Sequence, residues 1–180
     1  MLPIHIPGGE LWDEENNLFQ KIPKRTVMLE HSLLSISEWE SKWHKPFLSK
    51  EEKTTEETYD YIRCMCVSHD LLTAEIRALP EDETKRINDY ITDPMTATTF
   101  SRNNQSNSRE IITSEVIYYM MIRFGIPFDP CQKWHINRLL TLVRICAIKE
   151  GSEKKMGRNE ILAQNAMLNA QRRAAMHSKG

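Results

Sequence analysis

The residues of this sequence that could carry chemistry are its cysteines and histidines, and one spacing among them suits a metal ion. Cys131 and His135 are four residues apart, which places both side chains on one face of a helix. Further ligands would have to come from Cys64, Cys66 or His69, and two helical residues of a CxC point about 200° apart. Cysteine is also common as a small buried residue. We therefore interpret these residues as core thiols and a hydrogen-bonded histidine, and we predict no metal and no cofactor.

Short catalytic signatures are absent from the sequence, which contains no glycine-rich phosphate loop, GxSxG, HExxH or CxxC motif. We predict that the protein is not an enzyme. The 24 basic and 25 acidic residues give a net charge of −1, which excludes a polybasic nucleic-acid binder. No apolar run approaches the ~20 residues of a membrane span, and residues 1–9 lack a secretory signal. We expect an intracellular protein with reduced thiols.

Tryptophans provide the second group of candidate residues. Trp39 and Trp43 share one stripe of a predicted helix, and Trp134 opens another. Tryptophan is enriched at the centre of protein interfaces, but tryptophans on a helical apolar stripe are also typical of a core. Both interpretations remain open, and polar side chains around these positions would suit the rim of an interface. The candidate partner-binding residues are Trp39, Trp43, His44, Trp134, His135, Arg138, Arg172 and Arg173.

Charge is distributed unevenly along the chain. Residues 1–60 contain twelve acids and seven bases, a net −5, whereas residues 149–180 contain three acids and seven bases, a net +4. The two ends could attract each other between subunits of a homo-oligomer, or the basic tail could meet an acidic partner. A solvated tail is the alternative. Nucleic-acid binding through Arg172 and Arg173 would release few counterions and would be weak.

Strand patterns are confined to the start of the sequence. Residues 2–6 alternate weakly, residues 19–22 and 26–29 are short strand candidates, and residues 14–17 would form the turn between the first two. Helix signals follow, with capping boxes at Ser35 and Thr54. We predict that the helix after Ser35 buries Ile36, Trp39 and Trp43, and that the helix after Thr54 carries a stripe of Tyr59, Ile62, Cys66 and His69.

Two long helices are predicted in the second half of the chain. The first spans 109–124, has apolar residues on several faces and ends at Gly125; the second begins at Asp129, Pro130 and Gln132 and runs to about 148. They should form an antiparallel hairpin at the centre of the core. Residues 101–108 are polar enough to form an exposed loop.

The predicted fold class is α+β and mainly helical. A small N-terminal β-sheet or hairpin (1–30) packs on a helical domain (31–150), followed by a linker and an extended basic C-terminal helix (151–180). The segment 159–176 has too few apolar residues to pack along its full length.

Several blocks of the sequence resemble a family of small proteins from tailed bacteriophages with long non-contractile tails. The blocks are LLSISEWESKWHKPF (33–47), DPMTATT (93–99), REIITSEVIYY (109–119), QKWHINRLLTL (132–142) and QNAMLNA (164–170). They run over most of the chain in the same order. Members of this family are usually assigned as tail assembly chaperones.

The resemblance implies a non-enzymatic protein of the infected bacterial cytoplasm. It would bind the helical tape-measure protein, together with other tail proteins, until tail-tube subunits polymerise. Methionines such as Met120, Met121, Met167 and Met176 would supply adaptable surface. A permanent virion component, either a tail or a connector subunit, is the alternative within binding proteins. A metal- or nucleic-acid-binding regulator is the alternative from another class.

Overall fold

The computed structural model describes residues 1–13, 17–98, 100 and 111–151, and within them the protein is mainly helical with a small N-terminal β region. The predicted α+β class is therefore confirmed. Met1–Arg144 forms one compact unit, and a second begins at Ile145. Within the described residues, no helix combines the length and the apolar character that crossing a bilayer requires. The loop 101–108, the helix 159–176 and most of the turn 14–17 lie outside the described residues.

Four strands form two separate antiparallel pairs. They are β1 (Leu2–Ile6), β2 (Gly9–Asp13), β3 (Leu18–Ile22) and β4 (Arg25–Leu29), paired as β1–β4 and β2–β3. In the first pair, Ile4 and Val27 lie opposite each other and are buried, whereas His5 and Thr26 on the outer face hydrogen-bond at 2.9 Å. Strand β2 was not predicted, because Gly8 before it and Gly9 at its start indicated only a break in the chain.

The chain leaves β1 through a turn that requires glycine. Gly8 has φ +75°, and a Cβ at this position would lie 2.9 Å from the Cβ of Lys24. No side chain fits that space without a shift of the neighbouring backbone. The turn therefore separates β1 from β2, and β2 pairs with β3 instead of extending the first sheet.

Helix α1 (Leu33–Trp43) begins before the predicted capping box. Its N-cap is Ser32, whose side chain accepts from the backbone N–H of Ser35 at 3.3 Å. The predicted cap at Ser35 is wrong, because the Ser35 hydroxyl is buried and donates to the carbonyl of Glu30 at 2.8 Å. Of the predicted stripe, Ile36 and Trp39 are buried and Trp43 is half-buried.

Helix α2 (Thr55–Met65) has the predicted cap. The Thr54 hydroxyl accepts from the Glu57 N–H at 3.2 Å, and the Thr54 N–H donates to the Glu57 carboxylate at 2.8 Å. The predicted stripe is partly wrong, since the helix ends before Cys66 and His69 is exposed beyond it. Instead, Cys66 forms a β-bridge with Leu29.

Five further helices complete the described structure. They are α3 (Thr73–Arg77), α4 (Glu81–Thr92), α5 (Ser114–Arg123), α6 (Phe128–Cys131) and α7 (Ile136–Lys149). Helix α5 buries Ile117 and Met121 but leaves Ile122 exposed, so only one of its faces belongs to the core. As predicted, Gly125 terminates the helix as the residue after its C-cap: it has φ +64°, and the Ile126 N–H donates to the Met121 carbonyl at 2.8 Å.

The predicted start of the second long helix is wrong. Asp129 has non-helical dihedral angles, α6 is a single turn, and the long helix begins only at Ile136. The predicted hairpin is also wrong, because α5 packs chiefly on α1 among the described elements. The capping pattern at Asp129 and Pro130 was compatible with a helix. The long helix nevertheless begins at Ile136, whose backbone N–H donates to the His31 carbonyl at 2.7 Å.

Buried carboxylates join the elements to one another. The Arg25 guanidinium on β4 makes two bonds of 2.8 Å to the Glu75 carboxylate on α3, which is almost fully buried. Glu40 on α1 accepts from the Phe47 N–H at 2.8 Å and from the Ser114 N–H at 2.7 Å. Since Ser114 opens α5, Glu40 fixes both the loop after α1 and the start of α5.

Replacing Glu40 with glutamine should destabilise the fold. An amide has one acceptor oxygen, so Glu40→Gln would leave the Phe47 or Ser114 N–H facing an NH₂ group, at a cost of about 1–3 kcal/mol. Urea unfolding measures the difference. Glu38→Gln is the matched control because Glu38 lies two residues away on the same helix and is exposed. Equal unfolding free energies for the two variants would contradict this role of Glu40.

Candidate functional site

An open groove of about 550 Å³ lies between α1 and the chain that follows α2. Helix α1 lines one side with Leu34, Ser37, Glu38 and Ser41, and the other side includes Met65 and Val67. All of these residues belong to the unit Met1–Arg144. A concave, mostly apolar site of this size is typical of a binding site.

The α1 side of the groove results from the two faces of that helix. Leu33, Ile36 and Trp39 point into the core, so the residues at 34, 37–38 and 41 occupy the opposite stripe. The spacing i, i+3, i+4, i+7 extends this stripe over about 10 Å of helix. Serines at two of the positions leave space beside Leu34, which is 40% exposed.

The opposite side is held in place by backbone hydrogen bonds. The Glu30 N–H donates to the Met65 carbonyl at 2.8 Å, and the Val67 N–H donates to the Met28 carbonyl at 2.9 Å. These bonds make residues 65–67 a short continuation of the β1–β4 sheet. The Val67 side chain, 50% exposed, is therefore presented towards the groove by a fixed backbone.

The thiol at the base of the groove is not set up as a nucleophile. Burial raises the pKa of Cys64 to about 12, and the neighbouring carboxylates of Glu38 and Asp60 add to the effect. Because the thiolate is the nucleophilic form, Cys64 remains an unreactive thiol at neutral pH. The groove is thus suited to apolar contact.

The predicted partner-binding residues on α1 do not line this groove. Trp39 is fully buried and its indole N–H donates to the Glu57 carbonyl at 2.8 Å, so of the two interpretations left open for it, the structure agrees with the core one. Trp43 is half-buried and donates to the Asp60 carboxylate at 2.9 Å. His44 is exposed and forms the left-handed C-cap of α1.

The remaining predicted residues lie near the start of α7 or outside the described chain. His135 is buried, with Nε2 donating to the Tyr90 carbonyl at 2.9 Å and Nδ1 accepting from the Asn137 N–H at 3.3 Å. This agrees with the interpretation of His135 as a hydrogen-bonded histidine, and its buried ring is not accessible to a partner. Trp134 is half-buried beneath the exposed Arg138 guanidinium, 4.2 Å from the ring centre. Arg172 and Arg173 fall outside the described residues.

The metal arrangement considered from the sequence does not form. Cys131 ends α6 and His135 precedes α7, so the two residues do not share one helix face. Across the part of the chain that the structure describes, no three His, Cys, Asp or Glu side chains come together in a way that could hold a metal ion.

The sequence contained only a weak signal for the groove. Leu34 is an apolar residue outside the predicted stripe of α1, and Val67 follows the CxC without a helical partner. The sequence does not show that the two positions lie near each other, because their proximity depends on the β-bridge between Leu29 and Cys66. The groove is therefore a tertiary feature that periodicity does not reveal.

A buried pair of histidines lies next to the groove. His31 stands between the groove-lining residues Glu30 and Ser32, hydrogen-bonds through Nδ1 to the Tyr61 hydroxyl, and packs edge-on against the His135 ring, with centroids 5.0 Å apart. Burial, and to a smaller extent the nearby His135, lowers the pKa of His31 to about 3. Burial also raises the pKa of Tyr61 well above its usual value, so both partners are neutral.

The sequence matches no protein-family model, and neither curated proteins nor solved structures give a match.

Acid should destabilise the protein through His31. The unfolded chain takes up this proton near pH 6.5, whereas the folded protein resists it until about pH 3. The contribution of neutral His31 to the free energy of unfolding is therefore complete above pH 6.5. It declines by up to about 1.4 kcal/mol per pH unit as the pH falls towards 3. Urea unfolding of wild type and His31→Gln at pH 7, 6, 5 and 4 measures it. Parallel pH profiles for the two proteins would contradict the assignment.

Proposed function

We propose that this protein is a non-enzymatic tail assembly chaperone of a bacteriophage with a long non-contractile tail, and that it binds an apolar helical segment of the tape-measure protein. The observation that carries the binding role is the apolar groove between α1 and residues 65–67. The phage assignment rests on the resemblance of the five sequence blocks, three of which overlap α1, α5 and the start of α7.

The dimensions of the groove suit a helix docked along α1. The stripe from Leu34 to Ser41 covers two helical turns, about 10 Å, which matches anchors at i, i+3 or i+4, and i+7 of a partner. The apolar contacts would come from Leu34 and Val67, exposed apolar side chains on opposite sides, together with the exposed Met1. A tape-measure protein is helical, and its apolar stripes need covering before tube subunits surround it.

Methionine contributes less to this surface than the sequence suggested. Met121 is fully buried in α5 and Met120 is half-buried, while Met167 and Met176 lie outside the described residues. Met65 lines the groove but is also almost fully buried, so the exposed Met1 is the groove-lining methionine whose flexible thioether is free to adapt to a partner.

In this function the protein acts in the cytoplasm of the infected bacterium. It would bind the tape-measure protein, with other tail proteins as further partners, and would leave before the tail is complete. No step of this activity makes or breaks a covalent bond, and the neutral thiol of Cys64 is consistent with a passive surface.

Capture of the tape-measure protein from the same phage tests the proposal. Co-expression with the tagged chain, followed by affinity pull-down, should recover a soluble complex. Leu34→Glu and Val67→Glu place a charge against an apolar partner surface and should each reduce recovery at least tenfold. Leu72→Glu is the matched control, because Leu72 is a large apolar residue that is 62% exposed and does not line the groove.

Two outcomes would reject the proposal in different ways. If the wild-type chain recovers no tape-measure protein, the chaperone role fails. If both groove variants recover as much as Leu72→Glu, the groove is not the binding surface. Mass spectrometry of purified particles adds a separate test: stoichiometric copies in mature virions would identify a structural subunit instead.

A further inference from the structure

We infer that the groove selects helices carrying lysine or arginine one turn from their apolar anchors, and that Glu38 is the residue that makes the selection. The inference rests on the proposed function in one respect, namely that the groove receives a partner helix. It goes beyond it by stating which helices are accepted.

Glu38 is placed at the rim of the groove beside its apolar anchor. It follows Leu34 by one helical turn on α1, and both residues line the groove. Its side chain is 54% exposed, and Nδ1 of the exposed His69 lies 3.8 Å from the carboxylate. That separation is too long for a hydrogen bond, and exposed pairs of this kind contribute little. The carboxylate can therefore accept a stronger partner.

The cations near the groove are engaged with other carboxylates. Lys42 and Arg63 both contact Asp60, at 2.5 Å and 3.1 Å, in the smaller cavity that adjoins the groove. Lys133, at the edge of the groove, lies 2.6 Å from Asp129. These contacts hold the three cations on other carboxylates, and Lys42 and Arg63 together exceed the charge of Asp60 by one. Among the described residues, Glu38 is therefore the groove carboxylate without a hydrogen-bonded cation, and a cation brought by a partner helix could pair with it directly.

The other acidic residue of the groove is engaged too. One oxygen of the Glu30 carboxylate accepts from the Tyr90 hydroxyl at 2.7 Å, and the other lies 2.7 Å from the Met1 ammonium group. The side chain of Glu30 is only 13% exposed. Glu38 is consequently the carboxylate of the groove that a partner can reach without breaking an existing bond.

A helix lying along α1 would bring its charged residues to this position. If the partner places an apolar side chain between Leu34 and Val67, its residue one helical turn away lies opposite Glu38. Both Glu38 and that residue are then about 5–6 Å further along their own helices. Lysine or arginine there would form an ion pair that the docked helix partly shields from water. Glutamate there would meet like charge, so the discrimination comes from repulsion as well as attraction.

Two model peptides test the inference directly. Both have 18 residues and the same leucine stripe at i, i+3, i+4 and i+7; one carries lysines and the other glutamates one turn from the leucines. Fluorescence anisotropy with labelled peptides should give about tenfold tighter binding of the lysine peptide at low ionic strength, with the difference shrinking at high salt.

Variants of Glu38 assign this preference to one residue. Glu38→Gln should weaken binding of the lysine peptide about threefold and flatten its salt dependence, and Glu38→Lys should reverse the preference. Glu52→Lys is the matched control, since Glu52 is exposed in the loop before α2 and does not line the groove. It should retain the wild-type preference for the lysine peptide.

The outcomes separate this inference from the proposed function. Equal affinity for both peptides, or an unchanged preference in Glu38→Lys, overturns the inference and leaves the groove as a helix-binding site. If neither peptide binds while the tape-measure protein is captured, the inference also fails. Failure of both experiments rejects the proposed function. A wild-type dimer that Glu38→Lys dissociates in sedimentation would identify a second copy as the occupant and would overturn the inference.

Discussion

The structure depends on residues 29–34, where the chain leaves the sheet and enters α1. On one side, the Glu30 N–H bonds to the Met65 carbonyl at the end of α2. On the other side, the His31 carbonyl accepts from Ile136, the first residue of α7, at 2.7 Å. Leu29 and Leu33 within this stretch are completely buried. One short segment thus sets the positions of the sheet and of three helices, and buried backbone groups without these partners would be costly.

The groove follows from the same segment. Glu30, Ser32 and Leu34 line the groove, and they alternate with Leu29, His31 and Leu33, which are buried and do not line it. Because their backbone is bonded on both sides, the groove exists before a partner arrives. A preformed surface loses less conformational entropy on binding than one that must be ordered.

Local signals in the sequence predicted those parts of the fold that local interactions determine. The Thr54 cap and the alternation of β1 were confirmed, since each depends on residues within a few positions. The cap at Ser35 was wrong because its hydroxyl bonds to the Glu30 carbonyl five residues earlier and Ser32 caps the helix instead. The helix start at Asp129 was wrong although the pattern is locally acceptable, and α7 begins at Ile136, whose N–H bonds to the distant His31 carbonyl. For the site, the tryptophans predicted a partner surface on the face of α1 that packs against the core. The opposite face becomes a groove only when residues 65–67 are bridged to the sheet, which no periodicity encodes.

The carboxylate of Glu40 has a consequence for how this chain can vary. The first turn of α5 is positioned by a side chain of α1, since one carboxylate oxygen accepts from the Ser114 N–H and the other from the Phe47 N–H. Any substitution at position 40 therefore acts on two separate parts of the chain at once, and a neutral replacement there would need compensating changes in both.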